Sequence, residues 1–144
     1  MGLLDGKKAL IFGVANDHSI AWGIAQAFHA QGATVGFSSI SELLERRVKP
    51  LAQSIGAPFA EPCDVQKDED IAVVFEKWQQ QYGTLDILVH SLAFANREDL
   101  ATDFVNTSRD GFKLALDISA YSLVALTKAA RPLMPPGSSV VTMT

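Results

Sequence analysis

The chain has 144 residues, of which 48% are hydrophobic and 19% charged, a balance typical of one soluble globular domain. Its formal net charge of −4 provides no basic surface, so we expect no nucleic-acid partner. No apolar run is long enough to cross a membrane, and the single cysteine, Cys63, indicates a reducing, cytoplasmic setting rather than a disulfide framework.

Strand and helix signals alternate along the first half of the chain. Continuous apolar runs bounded by turn residues predict strands, and apolar residues at helical spacing predict helices. The predicted elements are a strand over Lys8–Phe12, a helix beginning at Ile20 and ending before Gly32, a strand over Thr34–Phe37, a helix over Ser39–Ile55 and a strand over Pro58–Cys63. Ser39 and Glu42 have capping-box spacing, and Pro50 predicts a bend or a late start within that second helix.

The second half continues the same alternation. The predicted elements are a helix over Asp68–Tyr82, a strand over Leu85–Val89, a long helix over Phe112–Arg131 and a strand over Ser139–Met143. The long helix is apolar almost all round, so we expect it to be buried on several sides, partly against another subunit. The β-α-β-α order predicts an α/β fold, a doubly wound, Rossmann-like parallel sheet with strand order 3-2-1-4-5.

Ligands in such a sheet bind beyond the carboxyl ends of the first and fourth strands, where the strand order reverses. The loop after the first strand lacks a strict G-x-G-x-x-G pattern, because Gly13 and Gly23 are ten residues apart. We interpret Gly13 as permitting a tight turn, and Ser19 with the amides near Ile20 as meeting a phosphate at a helix N-terminus. The alternative is a plain turn followed by a capped helix.

The loops after the second and third strands bear on the adenosine half of a dinucleotide. Residues Ser38–Ile40 include neither the Asp or Glu that binds an NAD ribose nor the Arg that accepts a 2′-phosphate. The absence of basic residues from this loop favours NADH over NADPH, which stays the alternative. Ile40 is expected near the adenosine. Asp64 can accept from the exocyclic amine of adenine while Val65 closes the pocket, although a turn or helix cap is an equally good role for Asp64.

The loop after the fourth strand, His90–Ala95, consists mostly of small residues that let the backbone approach a cofactor. His90 is a candidate catalytic base, but a single histidine at a strand end is more often packed and hydrogen-bonded, and we favour that interpretation. Cys63 is likewise interpreted as a small buried residue rather than a catalytic thiol.

Several segments of the chain resemble the bacterial enoyl-(acyl carrier protein) reductases, a divergent branch of the short-chain dehydrogenase/reductase family. The similar segments are Gly13–Ala15, Ser19–Ala21, Cys63–Val65, Leu88–Ala95 and Asp117–Ser122. Two features separate this branch from ordinary short-chain reductases. The run His90-Ser91-Leu92-Ala93 stands where those enzymes carry an Asn-Asn-Ala-Gly-like run, and Ser119 stands about where they carry an Asn.

The resemblance implies an NADH-dependent reduction, the last step of each fatty-acid elongation cycle. A hydride passes from the nicotinamide to the β-carbon of a trans-2-enoyl thioester carried by acyl carrier protein. The implied cofactor contacts are Gly13, Ala15, Ser19, Ile20, Asp64, Val65, Ser91, Leu92 and Ala93, with Ala95 beside the acyl substrate. The resemblance also implies a homo-oligomer, a tetramer.

The resemblance implies no catalytic residue and no metal ligand within the chain. The family's catalytic Tyr pair, its cofactor-binding Lys and its last strands follow the fifth strand, beyond Thr144. We therefore expect residues 1–144 to form a Rossmann-like dinucleotide-binding domain that is inactive alone. Two alternatives stay open: another short-chain reductase of the β-ketoacyl type, against which His90, Ser91 and Ser119 argue, and a non-catalytic nucleotide-binding fragment.

Overall fold

The computed structural model describes residues 2–144, which build a five-stranded parallel sheet covered by helices on both faces. The sheet has strand order 3-2-1-4-5, so the predicted topology is confirmed. The strands are β1 Lys8–Phe12, β2 Thr34–Ser39, β3 Ala60–Pro62, β4 Ile87–His90 and β5 Ser139–Thr142.

Several strand ends differ from the prediction because pairing with a neighbouring strand decides where a strand stops. Strand β2 continues two residues beyond Phe37, since Ser38 pairs with β1 and the Ser39 carbonyl accepts from the Cys63 N–H at 2.8 Å. Strand β3 is shorter than Pro58–Cys63, because only its three residues pair with β2. Strand β4 likewise begins at Ile87 rather than Leu85.

The helical segments include two π turns, which open a helix by one residue. They are α1 Ile20–Ala30, α2 Ser41–Leu43, the first π turn Leu44–Val48, α3 Lys49–Ser54, α4 Asp68–Tyr82, α5 Arg97–Leu100, a 3-10 turn Phe104–Asn106, α6 Arg109–Leu116, the second π turn Asp117–Tyr121, α7 Ser122–Ala130 and a 3-10 turn Arg131–Leu133. Within residues 2–144, none of these helices combines the length and hydropathy needed to cross a bilayer.

The predicted start of the second helix is wrong. The helix begins at Ser41, with Ile40 as its N-cap, because Ser39 is the last residue of strand β2. The proposed capping box of Ser39 and Glu42 therefore does not form. Pro50, for which the sequence predicts a bend or a late start, lies in the first turn of α3, directly after the first π turn. Proline is tolerated there because the first N–H groups of a helix have no partner within it.

Two apolar cores lie on opposite faces of the sheet, and successive residues of β1 contribute to them alternately. Ala9 and Ile11 belong to the core under α1 and α3, whereas Leu10 and Phe12 belong to the core under α4 and α7. The second core includes Trp78, which has no exposed surface. Burial on both faces explains why β1 shows no polar alternation in sequence.

The long predicted helix, Phe112–Arg131, is broken by the second π turn and begins earlier, at Arg109. Ser108 caps this start by accepting from the Gly111 N–H at 3.0 Å. Within the single chain the helix is not buried on several sides, and its core residues are Ala125, Leu126 and Ala130. The expected burial against another subunit stays a prediction. Phe112, Leu116 and Val124 are 54%, 50% and 57% exposed.

The two edge strands of the sheet differ in length and chemistry. Strand β3 has three residues and ends in Pro62, whose nitrogen carries no hydrogen. Strand β5 has four residues, pairs with β4 on one side, and exposes Val140 and Val141 by 41% each.

Candidate cofactor-binding site

A cavity of about 690 Å³ opens at the carboxyl ends of the strands, between the loops that follow β1, β2, β3 and β4. Eight of the eleven residues predicted to contact cofactor or substrate lie on its wall: Gly13, Ala15, Ile40, Asp64, Val65, Ser91, Leu92 and Ala93. These residues are far apart in sequence and meet because parallel strands end at one edge of the sheet. The cavity thus occupies the crevice at which doubly wound folds bind ligands.

Gly13 brings the β1 loop against the β4 loop. Its φ is +115°, a conformation that side-chain-bearing residues rarely adopt. A Cβ built on Gly13 would lie 1.9 Å from the carbonyl oxygen of Ser91. Glycine is therefore required here by backbone conformation and by space together.

Ser19 lies beside the cavity rather than on its wall, and it organises the β1 loop. Its hydroxyl oxygen accepts from the N–H groups of Ala15 at 2.9 Å and Asn16 at 3.1 Å, so it does not cap α1. Ile20, the first residue of α1, is also off the wall and 63% exposed. Among the described residues no side chain accepts from the N–H groups of Ile20 and Ala21, so this helix end can receive a phosphate.

The part of the cavity between the β2 and β3 loops, where the sequence predicts adenosine, contains Ile40 and Val65 but no charged residue from the β2 loop. Asp64 forms the turn that is the alternative to adenine binding. Its Oδ1 accepts from the Gln66 N–H at 3.0 Å, and its own N–H donates to Asp70 Oδ2 at 2.9 Å. In the part of the chain that the structure describes, its second oxygen makes no hydrogen bond, so turn formation and adenine binding are compatible.

Cys63 lies on the cavity wall but is only 3% exposed. Burial, assisted by the carboxylates of Asp70 and Asp64, raises the pKa of the Cys63 thiol to about 12. The thiol stays protonated near neutral pH and is a poor nucleophile. This agrees with its interpretation as a small buried residue.

On the opposite side, the β4 loop, Ser91–Asn96, forms the wall through Ser91, Leu92, Ala93, Phe94 and Asn96. Ala95, predicted beside the acyl substrate, lies between two wall residues but is not itself on the wall. The loop is tied to the second π turn, because the Phe94 N–H donates to Ser119 Oγ at 3.0 Å. The Ser119 hydroxyl in turn donates to the Phe94 carbonyl at 3.2 Å.

His90 is packed and fully hydrogen-bonded, as we expected. It is 1% exposed, with Nδ1 2.9 Å from Thr142 Oγ1 and Nε2 2.7 Å from Ser122 Oγ. The Ser122 hydroxyl donates its single hydrogen to the Ile118 carbonyl at 2.6 Å, so His90 Nε2 donates to Ser122 and Nδ1 accepts from Thr142. Burial lowers the pKa of His90. The ring is off the cavity wall and joins β4, β5 and α7.

Sequence reasoning missed several wall residues. Those on the β4 side come from the loop and the long helix: Phe94, Asn96, Leu114 and Ile118. Leu114 and Ile118 are four residues apart, so helical spacing could have paired them. Which surface that pair faces depends on how α6 packs, and this is not visible in a local pattern.

The arrangement suits an extended dinucleotide, with adenosine at the β2 and β3 loops, pyrophosphate at Gly13 and α1, and the second nucleotide at the β4 loop. Neither Tyr82 nor Tyr121 lies on the wall. Across residues 2–144, no group of three or more His, Cys, Asp or Glu side chains could hold a metal ion. As far as the described residues form it, the cavity wall carries no tyrosine.

Comparison with known proteins agrees with this geometry. The profile of the family described as enoyl-(acyl carrier protein) reductase matches residues 13–144. The NADH enoyl-(acyl-carrier-protein) reductase of Aquifex aeolicus is 49% identical over 134 residues, which are 93% of this chain and 50% of that protein. The corresponding Bacillus cereus enzyme is 46% identical over an alignment of 146 positions, which covers 100% of this chain and 57% of that protein.

Solved structures lead to the same group of proteins. The Aquifex aeolicus reductase superposes with a TM-score of 0.94 at 47% identity, covering 98% of this chain and 56% of its own. The Bacillus cereus reductase, solved with NADP+ and an indole naphthyridinone, has a TM-score of 0.95. The match covers 100% of this chain and 57% of the Bacillus cereus chain. The Anaplasma phagocytophilum reductase, solved with NAD, has a TM-score of 0.93 at 42% identity. The match covers 98% of this chain and 54% of the Anaplasma phagocytophilum chain. The chain therefore spans about half the length of these relatives.

Proposed function

Because the chain belongs to the enoyl-(acyl carrier protein) reductase family, we propose that it forms the dinucleotide-binding part of an enoyl reductase. The observation that carries this proposal is the cavity of about 690 Å³, on whose wall eight of the eleven expected contact residues meet. The proposed reaction is the reduction of a trans-2-enoyl thioester. The names of the relatives support an enoyl group carried by acyl carrier protein.

We propose NADH as the cofactor, with NADPH as the alternative. The relatives in Aquifex aeolicus and Bacillus cereus are named for NADH, and the β2 loop offers no cation for a 2′-phosphate. NADP+ in the Bacillus cereus structure keeps the alternative open. The glycine turn at Gly13 and the start of α1 fit a pyrophosphate.

The bound dinucleotide would supply the hydride for the β-carbon of the substrate. The proposed task of this chain is to hold and orient that dinucleotide. Ile40, Asp64 and Val65 would contact the adenosine, Ala15, Ser19 and Ile20 the pyrophosphate region, and Ser91, Leu92 and Ala93 the nicotinamide half. Ala95, next to this wall, would face the acyl chain.

We further propose that the catalytic Tyr pair and the cofactor-binding Lys belong to a segment beyond Thr144. The greater length of the relatives supports this, as does the lack of a tyrosine on the wall within residues 2–144. The complete enzyme would be a cytoplasmic homotetramer. The half-exposed apolar side chains of Phe112, Leu116 and Val124 support association with further copies.

The decisive experiment combines binding and turnover with purified residues 1–144. NADH fluorescence titration is expected to show binding, whereas NADH oxidation with crotonyl thioester is expected to be undetectable. Measurable crotonyl turnover would contradict the proposal that catalysis needs a further segment. An enzyme extended beyond Thr144 that reduces acetoacetyl but not crotonyl thioester would instead favour a β-ketoacyl-type reductase, and one that binds NADH without reducing either would favour a non-catalytic protein.

A further inference from the structure

Ser119 makes two hydrogen bonds to a single residue of the β4 loop. Its hydroxyl oxygen accepts from the N–H of Phe94 at 3.0 Å, and its hydroxyl hydrogen donates to the carbonyl of Phe94 at 3.2 Å. One side chain therefore satisfies both polar backbone groups of Phe94. Replacing the hydroxyl by a hydrogen atom would free both groups at once.

The second π turn carries Ser119 to this position. Ile118, its neighbour within the turn, lies on the cavity wall, and so does Phe94 in the loop. Ser119 itself is off the wall, so it acts on a ligand only through the two wall segments that it joins. Apart from this pair, no side-chain hydrogen bond connects the second π turn with the β4 loop in the part of the chain described.

The joined wall segments face one half of the ligand. In doubly wound folds the residue after the second strand contacts the adenosine ribose, so adenosine lies at the β2 and β3 side of the cavity. The pyrophosphate lies at the β1 loop near Gly13. The nicotinamide half then extends to the β4 loop and the second π turn, a step that rests on the proposed function.

From this geometry we infer that Ser119 is a positioning residue that holds the β4 loop in the conformation that receives the nicotinamide half of the cofactor. Without its hydroxyl, the loop residues Ser91–Asn96 lose their polar tie to the long helix and sample other conformations. Binding of the complete dinucleotide then has to order the loop again, which weakens affinity. A ligand that ends at the pyrophosphate does not require that ordering.

The experiment compares two ligands and three variants. NADH is titrated by fluorescence and ADP by competition or calorimetry, with thermal melting to verify folding. In Ser119→Ala, the Kd for NADH is expected to rise about fivefold, the effect of losing net hydrogen-bond energy, while the Kd for ADP stays unchanged. Ser119→Thr keeps the hydroxyl and is expected to restore the affinity for NADH.

Ser54→Ala is the matched control, because the Ser54 hydroxyl donates only to the Leu51 carbonyl, away from the cavity. It is expected to leave both Kd values unchanged. The inference is overturned if Ser119→Ala binds NADH as tightly as the unsubstituted chain, if NADH and ADP weaken together, or if Ser119→Thr restores nothing. Absence of NADH binding by the unsubstituted chain would overturn the proposed function as well.

Discussion

Gly13 is a residue at which two loops of the cavity wall approach each other closely. Its φ is +115°, and a Cβ at this position would lie 1.9 Å from the Ser91 carbonyl oxygen, which leaves no space for a side chain. The obstacle is backbone, which cannot rotate away as a side chain can. The turn after β1 therefore depends on a non-local contact as well as on its own conformation.

Gly13→Ala is expected to lower the free energy of unfolding by about 2 kcal/mol or more, from the strained φ and the backbone clash together. The Kd for NADH should rise more than about tenfold as the β1 loop moves. Urea unfolding and NADH titration measure the two effects. Gly23→Ala is the control: it lies in α1, its Cβ would meet nothing within 4 Å, and alanine favours a helix. Equal outcomes for the two variants would refute this account.

For single residues, the sequence predicts the structural role of a residue better than it predicts the contacts that the residue makes. A glycine after a buried strand is sufficient to identify Gly13 as a turn residue. Its approach to Ser91 cannot be predicted, because it depends on the pairing of β1 with β4, whose partners are far apart in sequence. The Ser19 hydroxyl accepts from the N–H groups of Ala15 and Asn16, four and three residues earlier, a contact within the loop that residue type alone does not predict.

His90 links three elements, since it bonds to Thr142 in β5 and Ser122 at the start of α7 while belonging to β4. Burial lowers its pKa in the folded chain below the ordinary histidine value of 6.5. On acidification the unfolded chain therefore binds a proton at a pH where the folded chain does not. The stabilisation is fully present above pH 6.5 and decreases as the pH falls from 6.5 toward the lower folded-state pKa.

Urea unfolding at several pH values between about 8 and about 5 tests this dependence. The contribution of His90 has a slope of at most about 1.4 kcal/mol per pH unit, that of one proton. His90→Gln should abolish this contribution, whereas His18→Gln should not, because the His18 side chain is 91% exposed. A pH dependence that is identical in the unsubstituted chain and His90→Gln would contradict the prediction.

Element boundaries show where local patterns stop being informative. The apolar stripe of α4 predicts Asp68–Tyr82, and the structure has the same bounds. The second π turn is not predicted, because the contacts that accompany it, Ser119 with Phe94 and Ser122 with His90, join segments distant in sequence. Apolar periodicity describes which face of a helix is buried but does not reveal an extra residue in one turn.

The exposed face of the long helix is a property of the whole molecule. Phe112 and Leu116 are four residues apart, Tyr121 follows after five, and Val124 after three more; all four are 50% to 57% exposed. The five-residue step coincides with the second π turn. Because a π turn holds more residues than an α-helical turn, we expect these side chains to lie in one row. A row of this kind is typical of a surface that associates with another protein.

We predict that this row mediates self-association. Leu116→Glu should reduce the molar mass measured by light scattering after size exclusion, because the charge would have to be buried. Val73→Glu on α4, where Val73 is 46% exposed, is the matched control and should leave the molar mass unchanged. A monomeric unsubstituted chain at micromolar concentration, or an equal effect of both substitutions, would be evidence against this interface.

The site as a whole can be predicted because topology places it. Once alternating elements predict strand order 3-2-1-4-5, the ends of β1 and β4 become adjacent, and most wall residues follow from loop positions. The wall contributed by Leu114 and Ile118 cannot be predicted, because a helix packed across the sheet has no fixed rotation in sequence.

The two edge strands of the sheet differ in how well they can pair with a further strand. At β3 the strand is short and Pro62 lacks a donor, so a template for a further strand is almost absent. At β5 the backbone groups on the side away from β4 and the exposed Val140 and Val141 form a complete template. The sheet is therefore expected to extend at β5 rather than at β3. One strand added beyond β5 would leave three strands on each side of the crevice between β1 and β4, so the crevice would then lie at the centre of the sheet.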